Sequence, residues 1–219
     1  LTLSYGSFQD KSATLDLGGA LSEDKKLSYR LIGSVARAER SNANFKGREN
    51  NYLLAQVRWK DNATDFNIGA SYDDSLSSQS RYTFALPGYI QATPQMRLGD
   101  WNDGVRMRSK ALFYSLEHAF SPTVTLVSRM QRMLTSQDLS LHLPLFPMST
   151  QDMLINFSES NQLSNYRTTS GDHYLRFSFD TGPLSHMLST GVNHPSQYNS
   201  IDEYVGDDIP VAVYQAGQA

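Results

Sequence analysis

No cysteine occurs in this chain of 219 residues, which rules out disulfides, thiolate metal sites and cysteine nucleophiles. No apolar run approaches the roughly 18 residues that suggest a membrane-spanning helix, and the mean hydropathy of −0.45 is polar. No segment carries helical periodicity. Basic residues are scattered rather than clustered, and a formal net charge of −3 gives no attraction to nucleic acid. The opening LTLSYGSF has no Met, no basic stretch and no apolar leader. The closing YQAGQA reads as a loop cut short, so a fragment of a longer chain is expected.

What the chain does have is alternation with period two, the signature of half-buried strands. Leu15, Leu17 and Leu21 share one phase; Leu27, Tyr29, Leu31 and Val35 continue it. Leu53, Ala55, Val57 and Trp59 follow, then Phe66, Ile68, Ala70 and Tyr72. The pattern predicts nine strands at about 1–8, 12–21, 27–38, 50–60, 64–74, 108–120, 123–136, 172–180 and 185–194. Most are near the roughly 9–11 residues that cross a bilayer at a tilt.

The connections carry more information than the strands. SEDKK (22–26), KDNA (60–63), SP (121–122) and TGPL (181–184) are short, and they alternate with longer links. External loops are expected at 39–49, 75–107, 137–171 and 195–219; the first such link, FQDK, is small. Soluble sheets rarely carry structureless loops of this length on every second connection, whereas up-and-down membrane barrels do. Asp16, Arg30, Arg58, Glu117, Arg129 and Arg176 fall opposite their strand's most apolar set, where a wet lumen tolerates them. Trp59, Phe66 and Phe120 lie beside short turns, where an aromatic girdle belongs. The expected fold is all-β, an antiparallel up-and-down transmembrane β-barrel. Nine strands leave two open edges, so the barrel is partial.

Several motifs, taken in order, resemble the TonB-dependent outer-membrane receptors, especially their ferric-siderophore (ferrichrome-type) group. LTLSYGSFQDKSATLDLGGALSEDKKLSYRLIG is similar to that family's opening barrel strands, and YLLAQVRWKDNATDFNIGASYDDS fits the wall that follows. FSFDTGPLSHMLSTGVN resembles a family segment built around a periplasmic turn. The resemblance runs from Leu1 to about Asn193; Asn193 and His194 stand where the family often has Asp and an aromatic residue. It implies roughly the first nine strands of a plugged barrel of about 22 strands, in the outer membrane of a Gram-negative bacterium. The plug, the TonB box and the closing aromatic strand are absent from this segment. The implied function is uptake of a ferric siderophore by binding and active import. The implied partners are the siderophore, the TonB complex acting through the plug, and outer-membrane lipid. Alternatives are another TonB-dependent cargo (cobalamin, haem or an oligosaccharide), or a passive porin or adhesin barrel.

Candidate ligand-binding residues lie in the expected external loops. Tyr82 and Phe84 precede Leu86-Pro87, and the resemblance gives such aromatics a pocket-lining role; Tyr89 and Trp101 share their loop. A flat ring suits an organic chelate, and Arg81 or Arg97 suits its anionic groups. The alternative for each ring is that it holds the loop together. Phe146, within the apolar LHLPLFPM, and Tyr204, with Tyr198, complete the set. His142 enters as a haem ligand only under the alternative cargo. GDWNDG (99–104) approaches calcium-loop spacing but lacks the closing Glu, so it reads as a polar turn. Five His without HExxH or i,i+4 pairing argue against a resident metal. No cofactor is expected, iron entering only as cargo. Neither GxSxG nor a phosphate-binding glycine loop occurs, and no acid–base pair can be placed across a cleft, so the reading is not an enzyme.

Overall fold

Alternating side chains and tight polar turns produce a wall of adjacent hairpins. The computed structural model describes residues 1–78, 85–86, 89–90, 99–149 and 154–212, with the backbone course alone at 85–86, 89–90, 144–149, 154–155 and 208–212. The strands are β1 (Thr2–Tyr5), β2 (Lys11–Ala20), β3 (Leu27–Arg37), β4 (Glu49–Lys60) and β5 (Thr64–Ser78). They continue as β6 (Ala85–Leu86), β7 (Tyr89–Ile90), β8 (Gly104–Ser121), β9 (Val124–Ser149), β10 (Leu154–Thr181) and β11 (Leu184–Ala212). Among the described residues nine strands form one sheet in the order β1-β2-β3-β4-β5-β8-β9-β10-β11, and β6 and β7 pair separately. Every neighbour in the large sheet is antiparallel.

Directly opposed residues share a face of a sheet, so the register sorts the side chains. One face carries Leu17 opposite Leu31, Leu31 opposite Ala55 and Ala55 opposite Ala70. The same row continues through Leu112, opposite Ala70. Leu175 opposite Leu126 and Phe177 opposite Leu188 extend this apolar face across β9, β10 and β11. The other face receives Asp16, Arg30, Arg58, Glu117, Arg129 and Arg176, as the alternation predicts. Leu112 is 60% exposed and Leu17 43%, whereas the buried hydrophobic residues among those described are only Ala36, Ala43, Phe45, Val127 and Phe157. A globule would hide such leucines; a wall with oil on one side has no need to.

The short connections are built from side chains that cap their own backbone. Asp61 accepts from the N–H groups of Ala63 and Thr64 at 2.9 and 2.7 Å. Ser22 accepts from the Leu27 N–H, and Ser121 from the Thr123 and Val124 N–H groups. The β10–β11 link is only Gly182 and Pro183, between the opposed pair Thr181 and Leu184. Gly182 takes φ 63°, a left-handed conformation that suits glycine. Trp59 and Phe66 face each other beside the Asp61 turn, and the Phe120 ring meets His118 edge-on at 4.8 Å.

Three expectations are corrected. β1 ends at Tyr5, and Ser7–Gln9 form a 3-10 turn with Phe8 at φ 60°, so the first strand does not reach residue 8. The link expected at 75–107 is shortened at both ends, since β5 runs to Ser78 and β8 starts at Gly104. The loops expected at 137–171 and 195–219 are strand over most of their length: β9 spans 26 residues, β10 28 and β11 29. The reason is physical. Segments such as QLSNYRTTS have polar residues on both faces, so alternation vanishes while backbone pairing persists.

Candidate functional site

The polar face is laced by ion pairs between neighbouring strands. Asp16 on β2 accepts from Arg30 on β3 through Nε at 3.1 Å and Nη2 at 2.8 Å. Arg58 on β4 donates through Nε to Asp65 on β5 at 2.6 Å and makes a second, shorter contact through Nη2. Arg176 on β10 reaches Glu117 on β8 across β9. A polar recess of about 300 Å³ lies between Arg58–Asp65 and Glu117, and a second of about 430 Å³, with Phe113, Tyr114 and Met130 also in its wall, lies beside it. Gln56, Arg58, Asp65, Glu117 and Arg129 line the first; Gln131, Ser170, Asp172 and Asn193, with Arg129 again, line the second. Both signs of charge and several amides make this face suited to a hydrated or polar partner rather than to lipid.

At the rim opposite the short turns, a compact knot joins segments far apart in sequence. Asp103 is 1% exposed. Its carboxylate accepts from the Asp100 N–H at 3.0 Å and the His142 N–H at 3.1 Å, and it lies 2.8 Å from His142 Nδ1. Against a carboxylate that ring nitrogen carries the proton. The Lys46 N–H donates to the Trp101 carbonyl at 2.8 Å, which ties the 38–48 link to the same turn. Phe45, fully buried, lies against Gly99, whose φ of 129° and crowding by Asp103 leave no room for a side chain. GDWNDG is thus the polar turn its residues predict, and among the described residues no group of three His, Cys, Asp or Glu is placed to hold a metal.

The knot makes a local prediction. Asp103→Ala strands three donors that now share one buried carboxylate, at about 1–3 kcal/mol for each donor left unpaired. Hydrogen exchange at Asn102 and Gly104 is expected to accelerate by at least about tenfold, with little change at the Asp61 turn. Equal protection at both places would show that the carboxylate does not hold the knot.

On the apolar side, above the leucine rows, Arg106 donates to Asp74 at 2.8 Å through Nε and 2.9 Å through Nη2.

The expected ligand residues are scattered. Arg81, Tyr82, Phe84 and Arg97 lie outside the described residues. Tyr89 falls in β7 and Phe146 in β9, where the backbone alone is described, so Phe146 belongs to a strand and not to a loop. Tyr204, also expected in a loop, stands on β11 opposite Asn161, on the same face as Tyr198 and 61% exposed. Trp101 precedes β8, three strands away from β11 in the sheet. Trp101 and Tyr204 are therefore not brought together. Sequence reasoning placed Asp103 in a polar turn but missed its bond to His142, and it missed Phe45. The signal available was two Asp in one short turn, one of which had to face inward.

Comparison with known proteins rests on structure. No protein-family model matches the chain, and no curated protein matches it. Among solved structures it is similar to the ferric preacinetobactin receptor BauA of Acinetobacter baumannii, with a TM-score of 0.76 and 14% identity over 97% of this chain. It is similar to the pyoverdine outer-membrane receptor FpvA of Pseudomonas aeruginosa, solved with pyoverdine bound, at 0.77 and 17% identity over 93%. The siderophore receptor PiuA of A. baumannii gives 0.73 and 15% identity over 99%. The chain spans 33%, 30% and 33% of those three receptor chains. At these identities the likeness shows the fold alone: the chain has the fold of an open run of the antiparallel barrel wall seen in those structures.

Proposed function

We propose that this chain is part of the barrel wall of a TonB-dependent outer-membrane receptor that binds a ferric siderophore and imports it. The observation that carries the reading is the two-faced sheet: leucine rows on one face, Asp16–Arg30, Arg58–Asp65 and Glu117–Arg176 on the other. On the face that lipid would touch, β4 from Trp59 to Leu53 and β8 from Leu116 to Leu112 present no carboxylate or guanidinium of their own, and Arg132 on β9 enters that face beside Leu112. The likeness to BauA, FpvA and PiuA, whose names give siderophores as their ligands, supports the cargo class. The polar face then lines the lumen, and the rim with the Asp103 knot faces outside the cell. TonB would act through a plug supplied by other parts of the receptor, and the ferric ion travels as cargo.

In this reading the chelate is met from the outer rim by Trp101, Tyr82, Phe84 and Tyr89, with Phe146 beyond them and Arg81 as the cation, whereas Tyr204, on the face of Tyr198, stands outside the site. The test uses the full-length receptor carrying this segment, titrated with a ferric trihydroxamate and a ferric triscatecholate while protein fluorescence is followed. One of the two is expected to bind, and Tyr82→Ala/Phe84→Ala to weaken it by at least about tenfold, the loss of two aromatic contacts. Binding of neither chelate would overturn the cargo class. Unchanged affinity in the double variant would overturn the loop assignment.

A further inference from the structure

Toward the outer rim the wall turns inside out. On β9 the residues that share the face of Arg129 run Gln131, Met133, Thr135 and Gln137, and then Leu139, Leu141 and Leu143. The register sets Met107 on β8 opposite Gln137 and Val105 opposite Leu139. Across β10 the same rows reach Ile201, Glu203 and Val205 on β11, opposite Ser164, Gln162 and Ser160. Among the described residues Glu203 is the one charge that these rows contain from β5 to β11. The same strands turn Arg106, Asp138, His142, Glu159 and Asp202 to the other face. Low on the wall the leucines lie outside and the ion pairs inside; here the order is reversed.

An apolar surface on the lumen side calls for something dry against it. Met107, Leu143, Ile201 and Val205 are exposed, so the described residues do not close the patch over. Ser164, set between Gln137 and Ile201, is 1% exposed, and its hydroxyl meets no partner among the described residues, a mark of how little water reaches this level. From Leu139 to Leu143 the strand rises about 14 Å, the reach of a medium-length alkyl chain. One row below Met107 the same face becomes uncharged and polar, with Ser109, Thr135, Tyr166 and Asn199 in line and the Ser109 and Thr135 hydroxyls 3.0 Å apart. A molecule travelling from the rim toward the lumen therefore passes leucines first and hydroxyls second. That order matches a solute with a polar head leading and an alkyl tail behind.

We propose that Leu139, Leu141 and Leu143, with Met107, Ile201 and Val205, hold the alkyl tail of an amphiphilic ferric chelate whose polar head rests on the hydroxyl row beneath. The proposal rests on the receptor reading above and narrows its cargo to chelates that carry a fatty acyl arm. Each methylene taken out of water against the leucines adds to affinity. The patch needs no counter-charge for such a tail, and Glu203 at its β11 side marks where the dry surface ends. The hydroxyls of Ser109, Thr135 and Tyr166 and the amide of Asn199 offer donors to the neutral carbonyl oxygens of the head.

The test uses the full-length receptor in phospholipid nanodiscs, titrated with a ferric trihydroxamate and a ferric triscatecholate, each made with an N-acetyl and with an N-octanoyl arm. For the chelate that binds, the octanoyl form is expected to bind at least about tenfold more tightly than the acetyl form. Leu139→Asn/Leu143→Asn is expected to abolish that preference and to leave the acetyl form within about twofold of its original affinity. Equal affinity for the two forms overturns the proposal. So does a preference that survives in the variant, since the bilayer then holds the tail. A variant that weakens both forms alike also overturns it, because the leucines then pack against the receptor's own chain. If the variant lacks the heat-modifiable migration of a folded barrel, Leu143→Ala/Val205→Ala takes its place with the same outcomes. Binding of the acetyl form without preference for the octanoyl form sinks this inference alone, and binding of neither chelate in either form sinks the receptor reading as well.

Discussion

Replacing Gly191 with valine is expected to prevent β10 and β11 from pairing. A Cβ at that position would lie 2.1 Å from the His173 carbonyl oxygen, 2.4 Å from the Tyr174 Cβ and 2.5 Å from its Cα. Two of those three atoms are backbone, so no rotamer change relieves the overlap. Overpacking typically costs about 1–3 kcal/mol, and a clash with a paired strand belongs at or above the top of that range. The full-length protein should lose its heat-modifiable form on gels, or its urea midpoint should fall by more than the assay's scatter many times over. Gly33→Val is the matched control. It lies on the apolar face with nothing within 4 Å of its added Cβ, so its cost should be within about 1 kcal/mol. If the two variants behave alike, the close approach at Gly191 is not a constraint on folding.

The second large effect concerns the oil-facing rows. Ile68 sits mid-row between Val57 and Tyr114, on the face assigned to lipid. Ile68→Arg is expected to cost about 2–4 kcal/mol when the receptor is unfolded from phospholipid vesicles, the midplane penalty for a buried guanidinium. Ser71→Lys lies on the opposite face, beside Leu54 and Ala111, and should cost less than about 1 kcal/mol. The contrast tests the assignment of faces directly. Equal costs at the two positions would mean that neither face meets hydrocarbon, and the receptor reading would go with it.

These outcomes follow from features that were unequally legible in the sequence. Strands such as Glu49–Lys60 and Thr64–Ser78 announce themselves because two solvents impose opposite demands on successive side chains. The tight links were legible too, since Asp61, Ser22 and Gly182 are residue types with a stated turn chemistry. Above the apolar rows the same strands carry polar residues on both faces. Serine, asparagine and threonine then satisfy either side, and what continues is hydrogen bonding of the main chain, which no side-chain period reports. That is why 137–171 and 195–219 read as loops.

The site suffered from a related limit. Asp103 and His142 are 39 residues apart, and their bond depends on how far β8 and β9 run beyond the leucine rows. A single turn motif says which backbone groups it caps, not which distant donor will dock on its spare oxygen. Trp101 illustrates the same point. Its identity suggested a ring for a ligand, yet its backbone carbonyl is what holds the 38–48 link in place.

The length of the last three strands has its own consequence. From Ser160 to Thr181, β10 stays in unbroken step with β11, though most of that ribbon offers no oily side to tell right alignment from wrong. Sliding by one residue there would swap serine for asparagine and cost little. Only the lower end resists, where Phe177 and Leu188 must share the apolar face and the Gly182–Pro183 bend clamps the hairpin. The upper ribbon therefore takes its alignment from its foundation, and should zip upward from that bend rather than downward from its tip.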